Sequence, residues 1–422
     1  MSSQPLLLVI SQVYVPDPAS VGQHIADVAE TMVRRGYRVR VLTSRRGYDN
    51  PSEIFPARET RSGVDVVRLP FSSFGKRSLL HRVAGQVLFL LQAIVHGVCA
   101  PRLCKILVST SPPMASIAAM VISIIRRVPI SYWVMDLNPD QVVALRRVGA
   151  NNIAVQALRW LNRRIFARAS EVIVLDRFMA ERIRTQYDVA GRMEIVPPWP
   201  HDEHVELAAA GNPFRAKYNP DGRFVVMYSG NHSLASPVTT VLEAARRLRD
   251  DARFRFMFIG GGHGKIEVDE AIATGEGTNL ISLPYQPLEQ LCFSLSAADV
   301  HLVTLGSEMV GIIHPCKVYG ALAVGRPVIY VGPAPSHVSD LMERYAVGWQ
   351  VQQGDVDGLV EQLRCVARLS TAERAELGQR AKQVIAGSFG KATLCDTFCD
   401  LIDPQCAADS CRSVATSEGF AA

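Results

Sequence analysis

Short, uninterrupted apolar runs alternate along this chain with longer segments in which apolar residues recur every three or four positions. Residues 6–10 are such a run, 14–22 a loop containing proline and glycine, and 23–35 a helical pattern that closes at Gly36 before the next run at 39–43. A continuous apolar run suits a strand covered on both faces, as in a parallel sheet. Strand, loop, helix, glycine, strand is then a βαβ unit. Its helix N-terminus faces the carboxyl ends of the strands, where open α/β sheets bind ligands. Further runs at 64–69, 106–109, 130–135 and 171–175, with helical stretches between them, predict one parallel-sheet domain.

The pattern breaks at Val196-Pro-Pro-Trp-Pro200 and stays polar to Gly222. A second series follows. Residues 224–228 read as a strand, Ser229-Gly-Asn-His232 as a tight loop, and Ser236 with Pro237 as the N-cap and first position of a helix. The run 254–259 ends in Gly260-Gly-Gly262, and strands follow at 281–283, 300–305, 327–331 and 349–352. The expected architecture is α/β, two Rossmann-like, doubly wound domains facing a cleft in which two substrates meet with water shut out. The boundaries read as 1–200 for the first domain, 201–222 for a linker, 223–387 for the second domain, 388–402 for a helix crossing back toward the first, and 403–422 for a disordered Ala/Ser-rich tail.

Length agrees, since 422 residues hold two cores of about 200 residues each. With 48% hydrophobic and 20% charged residues the chain is at the apolar end of folded globular composition. The net charge of +5 hides an asymmetry: residues 1–200 carry 26 Lys+Arg against 14 Asp+Glu, and 201–422 carry 19 against 26, so the halves stand at +12 and −7. A basic half either meets an anionic partner or spreads its arginines evenly over helices, and counts alone leave both open. The nine cysteines show no paired CxxC knuckles and are expected to be reduced. No basic, cleavable leader is read at the amino terminus, and the run 83–100 is too short and too polar for a membrane span.

Candidate chemistry sits in the loops. The loop ending in Gly22 and the loop Tyr228-Ser-Gly-Asn231 each lie between strand and helix, and Gly230 allows close backbone approach to an anion. Asp136, at the end of the run 130–135, lies on the ligand side of the sheet, where it would meet a hydroxyl or a developing charge; Asn138-Pro139 equally suits a turn aspartate. Two metal-like signals are read as structure. Asp355-Val-Asp357 is a helix cap, and His201-Asp-Glu-His204 does not present both histidines on one helical face, so no metal or other cofactor is expected.

Four stretches together resemble the family 4 glycosyltransferases of the GT-B fold: Asp17-Pro-Ala-Ser-Val-Gly-Gln23, Trp133-Val-Met-Asp-Leu-Asn-Pro-Asp140, Met227-Tyr-Ser-Gly-Asn231, and Gly311-Ile-Ile-His-Pro-Cys-Lys317 with Gly325-Arg-Pro327. The likeness spans about residues 5–402 and is nearest to bacterial capsule, O-antigen and colanic-acid enzymes, in particular the fucosamine-transferase-like group. It implies a nucleotide-diphosphate sugar donor, uridine by resemblance, held by Gly22, Ser229, Gly230, Asn231, His232, Tyr285, Gly311, His314 and Lys317. Lys317 and Asp136 are the implied catalytic groups. It also implies a retaining, front-face transfer to a polyprenyl-diphosphate-linked or other membrane acceptor, by an enzyme that is cytoplasmic and peripheral at the inner face of the membrane. The chain departs from the family twice. The Arg and Lys that usually follow the donor loop are absent from 227–240, and the usual Glu pair falls at Ile312 and Gly320. Lys317 is then the candidate cation for the leaving diphosphate.

A sugar-nucleotide 2-epimerase of the same fold and a catalytically silent nucleotide-sugar-binding or scaffold protein are the alternatives, and no motif supports nucleic-acid binding. Two segments bear on the membrane. In 79–98, Leu80, Val83, Val87, Leu88, Leu91, Ile94, Val95 and Val98 form a stripe behind His81 and Arg82, either interfacial or core. In 157–168, Leu158, Leu161, Ile165 and Phe166 alternate with Arg159, Arg163, Arg164 and Arg168, as in a basic amphipathic helix or an ordinary surface helix. With the +12 half, both favour an anionic membrane surface as partner.

Overall fold

The computed structural model describes residues 4–17, 19–47, 52–70, 79–201, 211–275 and 277–403, with only the backbone of 79–83. In chain order its elements begin with β1 (Leu6–Ile10), α1 (Ser20–Arg34), β2 (Arg38–Ser44), β3 (Arg58–Arg61), β4 (Val64–Leu69), α2 (Leu79–Val98), β5 (Leu103–Ser109) and α3 (Ala115–Arg126). They continue with β6 (Ile130–Trp133), α4 (Asp140–Ala144), α5 (Ile153–Arg168), β7 (Glu171–Val174), α6 (Arg177–Gln186) and β8 (Met193–Ile195). After these come α7 (Pro213–Tyr218), β9 (Phe224–Ser229), α8 (Thr239–Arg247), β10 (Phe254–Ile259), α9 (Lys265–Ala273), β11 (Leu280–Leu283) and α10 (Leu291–Ser296). The chain closes with β12 (Val300–Thr304), α11 (Lys317–Ala323), β13 (Val328–Val331), α12 (His337–Tyr345), β14 (Gly348–Val351), α13 (Val356–Arg368), α14 (Thr371–Val384) and α15 (Lys391–Ile402).

The chain divides into two units. The first holds the described residues within Met1–Pro139, Val148–Pro197 and Ala392–Ala422; the second holds those within Asp140–Arg147 and Pro198–Lys391.

In the first unit eight strands run in the order β3-β4-β2-β1-β5-β6-β7-β8, all parallel but for β3, which is antiparallel to β4. The chain grows outward from β1 through β2 to β4, then returns to place β5 on the other side of β1. The order therefore reverses between β1 and β5, and a crevice at their carboxyl ends is the expected ligand position. All five residues of β1 are buried, as the uninterrupted apolar run requires. α15 completes this unit. Phe398 packs 4.2 Å from the Trp133 ring, Arg35 pairs with Asp400 at 2.7 Å and Asp396 at 3.3 Å, and the Tyr37 hydroxyl donates to Asp403.

The second unit has a six-stranded parallel sheet in the order β11-β10-β9-β12-β13-β14. This is the doubly wound order, reversing between β9 and β12. Val226, Tyr228, Phe256, Phe258, Leu302 and Ile329 from four strands share one buried cluster with residues of α8 and α13.

Several expectations shift. β3 and β8 are short strands whose residues carry no apolar run, Arg58–Arg61 being charged at both ends. α1 starts at Ser20, so Gly22 lies in its first turn and does not end a loop. α8 begins at Thr239 behind Val238; Ser236 instead closes a turn on the Ser233 carbonyl at 3.0 Å. Within the expected linker, α7 is capped by the Asn212 side chain and packs Phe214 against Val225 and Met227, so this stretch belongs to the second core. Residues 202–210 of the linker, including His204, and the tail from 404 lie outside the described residues. The seven described cysteines are free thiols.

The two helices singled out for membrane contact differ. On α2 the core side is Phe89, Leu90 and Ala93, while Val87, Leu88, Leu91 and Val95 face outward, Val95 with 63% of its surface exposed. Of the stripe, Val87, Leu88, Leu91 and Val95 are therefore exterior and Ile94 and Val98 half-buried, while the side chains of Leu80, His81, Arg82 and Val83 lie outside the described residues. On α5, Leu161, Ile165 and Phe166 are buried and Arg163, Arg164 and Arg168 exposed, with Trp160 beside Arg164. Its apolar side is core. α2, α3 and α5 are successive crossover helices that neighbour one another on one face of the sheet, as right-handed connections require. Among the described residues no helix is long and apolar enough to cross a membrane.

Candidate functional site

The reversal between β9 and β12 fixes where the second unit can hold a ligand. The connections leaving these neighbours depart in opposite directions, so residues after β9 and residues leading into α11 flank the same edge. Gly230 follows β9 at φ +123°, a conformation that favours glycine, and its N–H donates to the Ile259 carbonyl at 2.9 Å. Gly260 follows β10 at φ +126°, and a Cβ there would stand 2.1 Å from the Gly230 carbonyl oxygen. Gly262 is equally constrained, with a Cβ meeting Asn231 Oδ1 at 2.3 Å and the His232 carbonyl at 2.8 Å. His232 N–H donates to the Gly261 carbonyl at 2.7 Å, and Gly264 N–H to the His232 carbonyl at 2.8 Å. The two loops are thus laced backbone to backbone.

Cations surround them. Lys317, first residue of α11, lays its stem across Gly230, where a Cβ would touch its Cε at 2.8 Å, and its ammonium is 5.1 Å above the Tyr228 ring. Lys265, first residue of α9, donates from Nζ to the Gly260 carbonyl at 2.6 Å and to the Leu283 carbonyl, and burial lowers its pKa. The His232 ring is wholly buried, with Nδ1 3.3 Å from the Gly261 carbonyl. Burial, then the charges of Lys317 and Lys265, push its pKa down to about 4, so it is neutral at pH 7 and adds no third cation. The ring acts between the loops, not at a ligand surface. A glycine-lined edge with the Lys317 ammonium beside it suits an anion with several oxygens.

Tyr285 belongs to this edge too, its Cε2 lying 2.9 Å from where a Gly261 Cβ would be. Gly311 and His314 precede α11. Gly311 takes φ +70°, and His314 Nε2 and His337 Nε2 lie 2.9 Å and 2.7 Å from the single Tyr319 hydroxyl, with the imidazoles 4.2 Å apart. In the second unit the structure therefore gathers Ser229, Gly230, Asn231, His232, Tyr285 and Lys317 at one place, and ties His314 into a His–Tyr–His cluster beside it. The usual Glu positions are filled by Ile312, fully buried, and Gly320.

In the first unit, Gly22 brings α1 against the Tyr14 backbone, where a Cβ would be 3.1 Å from both Tyr14 N and Cα. It serves close packing beside the sheet reversal. Asp136 follows β6 and is half-buried; its N–H and that of Met135 both donate to Thr110 Oγ1 at 3.1 Å. Asp355 caps α13 through Gly358 N–H at 2.8 Å, and Asp357 pairs with Arg247, so this Asp-x-Asp is structural.

Lys265, Tyr319, His337 and Thr110 are absent from the sequence reading. Lys265 could have been found, since it enters a helix behind a glycine loop at the end of a strand as Lys317 does. His337 carries no local signal; only the fold brings it to His314.

Residues 20–199 match the family model described as a glycosyl transferase 4-like domain. The chain is similar over nearly its whole length to a probable glycosyltransferase, WbjE, of Pseudomonas aeruginosa: 21% identical over 402 residues, covering 94% of this chain and 98% of that protein. A stretch of 146 residues is 29% identical to a putative colanic acid biosynthesis glycosyl transferase, WcaI, of Escherichia coli (strain K12), covering 34% of this chain and 36% of that one. Among solved structures, HepE of Anabaena in complex with UDP and glucose superimposes at a TM-score of 0.69 with 14% identity, covering 94% of this chain and 99% of that chain. Residues 20–199 thus carry a glycosyl transferase 4-like domain, and the chain as a whole has the GT-B fold of the glycosyltransferases it is similar to. These comparisons do not single out the fucosamine-transferase-like group.

Two expectations follow from the geometry. Gly260→Ala introduces a Cβ with no room and an unfavourable backbone angle, so the amides of 230–232 and 260–264 should exchange several-fold faster or more, measured by hydrogen exchange, while the far sheet edge at β14 keeps its amide protection. His232 and His301 are both buried with pKa values pushed down to about 4, by burial first in each case. The unfolded chain takes up protons below about pH 6.5 while the folded chain does not until about pH 4, so stability is full above 6.5 and declines as pH falls through that window. Denaturant unfolding at pH 7 and pH 5 should differ by on the order of 1 to 2 kcal/mol per histidine, and His301→Asn should flatten the slope.

Proposed function

We propose that this glycosyltransferase moves a sugar from a UDP-sugar, with retention of configuration, to a lipid-linked saccharide in cell-surface polysaccharide assembly. The laced glycine loops with the Lys317 ammonium beside them carry this reading, because they offer backbone and point charge together to a diphosphate. The UDP bound in the HepE structure and the colanic-acid role in the name of WcaI support the donor and the pathway class.

In this scheme the donor diphosphate lies against the ends of β9 and β10. As the bond from sugar to phosphate breaks, negative charge grows on the leaving phosphate and the Lys317 ammonium offsets it. The departing diphosphate accepts the acceptor proton, so the protein's tasks are alignment and charge stabilisation. Asp136 acts on the acceptor side, meeting the hydroxyl or the oxocarbenium charge. No metal or other cofactor takes part, and nucleic acid is not a partner.

The acceptor is a polyprenyl-diphosphate carrier at the inner face of the cell membrane, where the enzyme docks as a cytoplasmic, peripheral protein. The outward apolar stripe of α2 and the exposed Arg163, Arg164 and Trp160 of the neighbouring α5 layer support this surface.

UDP release from UDP-glucose and a panel of other UDP-sugars, with a lipid extract as acceptor source, tests the transfer. Lys317→Ala should weaken UDP binding or turnover at least tenfold, about 1.4 kcal/mol, and EDTA should leave turnover unchanged. Asp136→Asn should lower kcat more than it alters donor affinity; a collapse of UDP affinity with turnover intact would move Asp136 to the donor side. For docking, co-sedimentation with anionic vesicles should exceed that with neutral ones and fall at high salt. Equal, negligible binding to both would put a soluble acceptor first.

A further inference from the structure

We propose that Asn162 is a positioning residue for Asp136, acting through the carbonyl group of Asn138; the inference rests on the catalytic reading of Asp136 above. Asn162 sits in the middle of α5 on the face that also buries Val155, Leu161, Ile165 and Phe166. It is 8% exposed, and a buried amide on an apolar helix face needs a partner. Its Nδ2 donates to the Asn138 carbonyl oxygen at 2.6 Å.

That bond closes a series. Val134 N–H donates to the Ile173 carbonyl at 2.8 Å, and the N–H groups of Met135 and Asp136 share the Thr110 hydroxyl at 3.1 Å each. Asp136 is thus pinned on its amino side by Thr110, just beyond β5, and two residues later by Asn162 of α5, with the Leu137 side chain buried between. Neither anchor is main-chain sheet pairing. Both are side-chain groups placed where a purely structural loop could use apolar packing. A carboxylate that meets a reacting group gains most from such fixing, because small displacements cost large factors in rate.

The test combines kinetics and hydrogen exchange. With UDP-glucose and the lipid extract, Asn162→Leu should lower kcat about tenfold with the KM for UDP-glucose unchanged, and should add no further loss in an Asp136→Asn background. Amides of residues 134–138 should exchange at least fivefold faster in Asn162→Leu, with α11 and α13 unaffected. Multiplying losses in the double variant, or unchanged exchange across 134–138, overturns the proposal. If Asn162→Leu does not fold, Thr110→Val loosens the same loop from its other end and is held to the same two outcomes. Wild-type turnover in Asp136→Asn overturns the catalytic reading of Asp136 and this proposal with it, whereas a slow Asp136→Asn beside an unaffected Asn162→Leu overturns this proposal alone.

Discussion

No side chain fits at Gly260: its Cβ would lie 2.1 Å from the Gly230 carbonyl oxygen, so the ends of β9 and β10 approach as two bare backbones. The rest of the second unit's site follows from that approach. It brings His232 N–H onto the Gly261 carbonyl, and it leaves above Gly230 the space that the Lys317 stem fills. Each of Gly230, Gly260 and Gly262 has a positive φ, so the loops are preset in shapes that other residues would adopt only under strain. Their order is a property of the backbone, and side chains are hung upon it.

The electrostatics build on the same geometry. Two ammonium groups near one buried imidazole would be an unstable set if the imidazole were charged, and burial keeps it neutral. Lys265 donates hydrogen bonds to two carbonyl oxygens and so braces β10 and β11, while Lys317 rests on an aromatic face. One lysine is thereby committed to the framework, and the other lies over a ring, with no carbonyl bond of this kind among the described residues. This division explains how the edge remains cationic although the cations usual after the donor loop are missing from 227–240.

Much of the architecture was legible because parallel strands covered on both faces leave uninterrupted apolar runs; Leu6–Ile10 and Phe254–Ile259 were read to the residue. What periodicity could not show was set by other forces. Arg58–Arg61 is a strand through pairing with Val64–Val67, not through its own residues. α7 was hidden in a polar stretch because one phenylalanine, Phe214, anchors it. At the site, Gly230 and Lys317 could be chosen from their positions after a strand and before a helix. The bonds that hold Asp136 could not, since Thr110, Asp136 and Asn162 are separated by 26 residues each way and meet only through the order of β5, β6 and α5.

The packing of α15 on the first unit sets an order on synthesis. Phe398, Cys399 and Ile402 are buried there although they are among the last described residues, and the Trp133 ring on which Phe398 packs is made more than half a chain earlier. The second unit, interposed in the chain, has all its strands before α15 leaves the ribosome. The first unit must therefore wait with an apolar surface open while the second one folds, and a nascent chain stalled near residue 390 carries a finished second sheet beside an incomplete first core. Domains that fold strictly in order of synthesis finish the earlier one first; this chain finishes the earlier one last.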